Sequence, residues 1–203
     1  MGKSYFNMGV ESLNQGDLTK AKVCFAKAYE EDPENTSARY MAAYIDVKNA
    51  SAVVMQEKVA EFISAAQEVL LKLNGGAEDE EDLFDLLVTS TEQITQHVHK
   101  VMWDHSKEIK GNSELLSKYN TQRNACEKDC INMIYKIADA AALSANEAVK
   151  ALAVTAWKNA IAAQQLYPYC GADKSLPEKY AEKIKAVDPT YTLPKKTGCI
   201  SFG

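Results

Sequence analysis

No proline separates Pro33 from Pro168, and between Gly76 and Gly171 the only glycine is Gly111. Sandwiches and barrels need turn residues about every 8–12 positions. A stretch this long without breakers excludes a sheet protein and predicts helices of many turns. Of the 203 residues, 46% are hydrophobic and 25% charged, which suits a packed core in one domain or two small units. That composition excludes disordered and low-complexity classes.

The net charge of −5 gives no global attraction to nucleic acid or anionic lipid, so neither is an expected partner. The acidic excess is concentrated in Glu78-Asp79-Glu80-Glu81-Asp82. This run lacks the alternate spacing and central glycine of a calcium loop, and it reads as the first turn of a helix, where carboxylates oppose the dipole. Five widely spaced cysteines, Cys24, Cys126, Cys130, Cys170 and Cys199, do not form a disulfide framework. No run of 18 apolar residues is present, and the first residues carry no signal-type apolar core. The expected location is cytoplasmic, with no cofactor.

Residues 3–33 read as two amphipathic helices turned at Gly16 and capped by Asp17. Tyr5, Met8, Gly9, Ala21, Phe25, Ala28 and Pro33 alternate small and aromatic residues at helix–helix contact spacing. In type and spacing these seven positions resemble a tetratricopeptide repeat; Ser12, where the family carries an aromatic, is the departure. Residues 35–73 resemble a degenerate second repeat. Ala38, Met41, Ala42 and Ile45 suit its first helix, while Phe62 and Ala65 come three positions late in a longer second helix running from a Ser51 cap to Leu73. Asn74-Gly75-Gly76 ends it.

The resemblance implies a concave groove holding a peptide or helix. Its groove positions fall on Lys3, Phe6, Val10, Leu13 and Asn14, then on Thr36, Arg39, Ala43, Asp46 and Val47. The candidate partner-binding set is Lys3, Phe6, Val10, Leu13, Asn14, Arg39, Ala43 and Asp46. Phe6 and Val10 stand where the family's carboxylate-clamp version carries lysine and asparagine, so a C-terminal carboxylate is not the expected ligand. An apolar groove binds an amphipathic partner or is covered by the chain's own later helices.

Residues 79–110 carry Leu83, Leu87, Ile94, Val98, Val101, His105 and Ile109 at helical steps, with Leu86 and Met102 widening the stripe. After the break at Lys110-Gly111-Asn112-Ser113, a second stripe runs through Tyr119, Cys126, Cys130, Met133, Ile137 and Ala141. The two rods should fold back antiparallel. Ser144-Ala145-Asn146-Glu147 and Ser175-Leu176-Pro177-Glu178 have capping-box spacing and start two further helices. The expected organisation is an all-α protein of the solenoid or bundle type. Tetratricopeptide-like hairpins occupy 1–74, long antiparallel helices packed on them occupy 79–188, and an extended tail covers 189–203.

Chemistry is sparse. Cys126 and Cys130 share a helix face opposite residues 92–96, near His97 and His99, which raises a metal- or redox-responsive bundle as one alternative. Both lie on the apolar stripe, where cysteine acts as a small hydrophobe. His97, His99 and His105 read as hydrogen-bonded core or boundary residues. No phosphate loop, zinc-protease motif or nucleophile elbow occurs. The expected function is therefore a non-enzymatic protein–protein interaction module, an adaptor or assembly scaffold. Self-assembly through residues 80–142 into a homo-oligomer is the other alternative.

Overall fold

The computed structural model describes residues 2–73 and 80–194. Four features read from the sequence lie outside the described residues: the Asn74-Gly75-Gly76 break, the Glu78-Asp79 part of the acidic run, the side chain of Lys3, and the tail from 195 onward with Cys199. Among the described residues there are eight α-helices and no strand. They are α1 (Gly2–Asn14), α2 (Leu18–Glu31), α3 (Thr36–Asn49), α4 (Met55–Leu73), α5 (Glu80–Glu108), α6 (Ser113–Ala141), α7 (Glu147–Leu166) and α8 (Leu176–Val187).

Each helix packs on the next in sequence. The other extended contacts join next-but-one neighbours: α3 with α5, α4 with α6, and α5 with α7. Short turns between long amphipathic helices enforce this order, because a helix that has just reversed direction finds its apolar partner in the helix it left. The middle of the molecule is thus a stack in which α3, α5 and α7 form one layer and α4 and α6 the other. The α1–α2 hairpin is added at one end and α8 at the other.

The first hairpin closes as its residues dictate. Gly16 takes φ 78° in the turn, a left-handed conformation that glycine adopts without steric cost. The Asp17 carboxylate accepts the Lys20 amide at 2.9 Å and caps α2. A Cβ on Gly9 would stand 2.7 Å from the fully buried Phe25 ring, so glycine is what lets α1 lie against that ring. Phe6 meets the same ring edge-on, with centroids 5.4 Å apart.

At the α3–α5 crossing the packing is partly polar. Tyr40, fully buried, packs with its ring tilted against that of Phe62 of α4, centroids 5.0 Å apart, and bonds through its hydroxyl to Ser90 and, at 3.4 Å, to Thr91. Burial raises its phenol pKa further above the ordinary value, so it remains a protonated donor. Tyr44 donates to Gln93 at 2.7 Å beside it.

Several boundaries differ from the sequence reading. The second long helix of the N-terminal region starts at Met55, not at Ser51, because residues 52–54 form a turn closed by the Val54 amide on the Ser51 carbonyl at 3.2 Å. Helix α7 is capped by Asn146, which accepts the Ala148 amide at 2.9 Å. Ser144 instead accepts the Asn146 amide at 3.0 Å in the preceding turn. Ser175 makes no side-chain cap to α8 and donates its hydroxyl to Asp173 at 2.8 Å. On α5 the buried stripe runs through Phe84, Leu87, Ile94, Val98 and Met102, whereas Leu83, Val101 and His105 are half-buried at its edges, as is Ile109 in the turn that follows. The start of the tail is docked: Tyr191 and Leu193 pack on the core, and Gln165 of α7 donates to the Pro194 carbonyl at 3.0 Å.

Candidate protein interface

On α1 the side facing α2 carries Gly9 and Ser12, both buried, with Phe6 and Leu13 half-buried beside them. A single apolar stripe on one helix can serve only one neighbour, and that neighbour is α2. Val10 and Asn14 lie on the adjoining side and are exposed. With Asn7, Glu11 and Gln15 they line an open depression of about 450 Å³. Val10, at 36% exposure, is the apolar residue in that depression.

On α3, Arg39, Ala43 and Asp46 follow at steps of four and three and share the half-buried face turned away from Tyr40, Tyr44 and Val47. Both charges are engaged within the chain. Arg39 pairs with Glu68 of α4, and that carboxylate holds the guanidinium pKa above its ordinary value. Asp46 pairs with Lys22 of α2. These two side chains therefore brace α3 against its neighbours, and such half-exposed pairs contribute no more than about 1 kcal/mol each. Val47, another groove position, is fully buried.

The candidate set thus separates into parts. Val10 and Asn14 are free on α1. Phe6 and Leu13 hold the first hairpin together. Arg39, Ala43 and Asp46 form a braced face on α3, which has no extended contact with α1.

The cysteine and histidine positions resolve into packing and one polar link. Cys126 and Cys130 are buried where α6 meets α5. Burial, reinforced by the Asp129 charge, pushes the Cys126 thiol up to about 12; Cys130 is raised further by burial, then by Cys126 and Asp129. Both remain neutral thiols across ordinary pH. Among the described residues no group of three or more His, Cys, Asp or Glu is placed to hold a metal ion. No described helix is long and apolar enough to cross a membrane.

His99 bonds through Nδ1 to Glu127 at 2.7 Å, stacks at 4.2 Å on Tyr167, and lies 6.0 Å from Trp103. Arg123 approaches the same buried carboxylate at 3.6 Å and lies 5.0 Å over the Trp103 ring. This cluster ties α5, α6 and the segment after α7 together. Of its ionisable members only His99 stood out in the sequence, because the carboxylate and guanidinium sit on another helix.

A second concave surface had no sequence signal. It is an open cleft of about 520 Å³ bounded by α4, α6 and the start of α8, with Ile63, Met133 and Leu176 among its apolar walls. In its lining Tyr135 and Tyr180 stack at 4.3 Å. Asp139 accepts hydrogen bonds from Trp157 Nε1 at 3.1 Å, Tyr180 Oη at 2.7 Å and Lys183 Nζ at 2.8 Å.

No protein-family model matches the chain, and no curated protein and no solved structure matches it either.

Proposed function

We propose that the chain is a non-enzymatic interaction scaffold that holds a peptide or amphipathic helix against the open side of its N-terminal hairpins. The observation that carries this reading is the position of α1. It rests on α2, and the later helices leave the Val10–Asn14 side uncovered. The tetratricopeptide-like spacing from Tyr5 to Pro33 supports the same reading, because that pattern is associated with grooves that take helices and extended peptides. Val10 supplies apolar contact and Asn14 hydrogen bonding, with Asn7, Glu11 and Gln15 as their polar surround.

Two features weigh against the alternatives. The apolar stripes of α5 and α6 are spent on each other and on α3, α4 and α7, which leaves little for self-assembly through residues 80–142. The buried, neutral thiols of Cys126 and Cys130 offer poor metal ligands and poor nucleophiles.

Affinity capture from the native cell with wild type and with Val10→Glu/Asn14→Arg tests the proposal. Both positions are exposed, so the variant should melt like wild type and lose the specifically captured proteins. Capture of the same proteins by both would refute it. Phe6→Glu is unsuitable as a test, since it would break the contact with Phe25.

A further inference from the structure

The cleft between α4, α6 and α8 is independent of the α1 surface, and its free groups are arranged in a definite order. Asp129 and Lys136 both line it. They are seven residues apart on α6, two turns along one face, hence about 10.5 Å apart along the axis. Asn132 lies between them, and Gln67 faces the cleft from α4. None of these four side chains has a hydrogen-bond or ion-pair partner among the described residues. The neighbouring Asp139, by contrast, is saturated by Trp157, Tyr180 and Lys183. Of the two carboxylates that line the cleft, only Asp129 is thus free to take a ligand charge.

From this geometry we infer that the cleft binds a short extended peptide segment carrying a basic side chain at the Asp129 end, an acidic one at the Lys136 end and apolar residues between. A separation of about 10.5 Å is too long for the two charges of one free amino acid and is close to the roughly 9.3 Å between the first and fourth residues of an extended polyproline-II segment, whose three-residue turn puts both side chains on one face. The apolar residues would meet Ile63 and Leu176. The amides of Gln67 and Asn132, each offering donors and an acceptor, would satisfy the backbone of a segment that brings no strand partner of its own. The volume of about 520 Å³ lies within the range of pockets that enclose small ligands or a few residues.

The test is fluorescence anisotropy with three capped, fluorescein-labelled tetrapeptides, Arg-Leu-Phe-Glu, Arg-Leu-Phe-Arg and Glu-Leu-Phe-Glu, titrated with full-length protein. Wild type should bind the mixed-charge peptide saturably and each like-charged peptide about tenfold more weakly, a difference of about 1.4 kcal/mol. Lys136→Glu should switch the preference to Arg-Leu-Phe-Arg, and Asp129→Lys to Glu-Leu-Phe-Glu. Both residues are exposed, so helix content should be unchanged, and the gained preference distinguishes a binding role from simple loss of fold. Val10→Glu should leave all three titrations unaltered. No saturable binding below about 1 mM, binding indifferent to both substitutions on α6, or binding lost with Val10→Glu would each overturn the assignment.

Discussion

Helices α1 and α5 are both amphipathic rods that follow the same packing chemistry, yet they occupy opposite situations. Helix α5 is gripped by α3, α4, α6 and α7, and it buries Phe84, Leu87, Ile94, Val98 and Met102 together with the hydroxyls of Ser90, Thr91 and Thr95. Helix α1 rests on α2, and its close fit depends on Gly9 meeting Phe25. In a stack where each element touches only near neighbours, stability is the sum of local interfaces. An end helix with one interface is therefore both the least stable element and the one with a side left to offer a partner.

The contrast can be broken most severely from the centre. Phe84→Ala removes a fully buried ring from α5 and should cost about 3–5 kcal/mol, read as loss of the whole cooperative transition in urea. Gly9→Ala forces a methyl toward the Phe25 ring and should cost about 1–3 kcal/mol. Hydrogen exchange should confine that loss to α1 and α2 and leave α5–α7 protection intact. Asp17→Ala deletes the α2 cap and should cost about 1 kcal/mol, seen as a smaller shift of the urea midpoint with unchanged slope.

The smallest effect concerns pH. Burial, aided by Lys48, holds the His97 imidazole below its ordinary pKa, against a weaker opposing hydrogen bond to the Val47 backbone. The folded state thus binds its proton less readily than the unfolded chain. Its contribution is present above the unfolded pKa and is lost as pH falls through the folded one. His97→Gln should flatten the stability profile slightly between about pH 5 and pH 7, and a steeper slope would show that the direction is wrong.

Much of this architecture was legible from spacing. Gly16 and Asp17 mark the first turn, and folding about Gly111 does bring Cys130 level with Thr95 and His99 level with Glu127. What spacing missed was polar or distant. Tyr40 is buried against serine and threonine, residues that a hydrophobic pattern counts as surface. Asn146, not Ser144, caps α7, because two residues separated only by Ala145 can both accept amides and the local chain direction decides which begins the helix. Of the candidate interface, Val10 and Asn14 were readable as one helix face. The engagement of Arg39 by Glu68 and of Asp46 by Lys22 was not, since each pair spans separate helices. The α6 cleft draws on residues from Ala60 to Tyr180, a juxtaposition that exists only once the stack is built.

Native-state hydrogen exchange resolved by helix separates a graded stack, with α1 lightly held and the middle tightly held, from a uniformly cooperative one. In the graded stack, opening free energies should rise from α1 through α2 to a maximum in α5 and α6, with Gly9→Ala lowering only the first two. A single uniform opening energy from α1 to α8, lowered everywhere by Gly9→Ala, would contradict it.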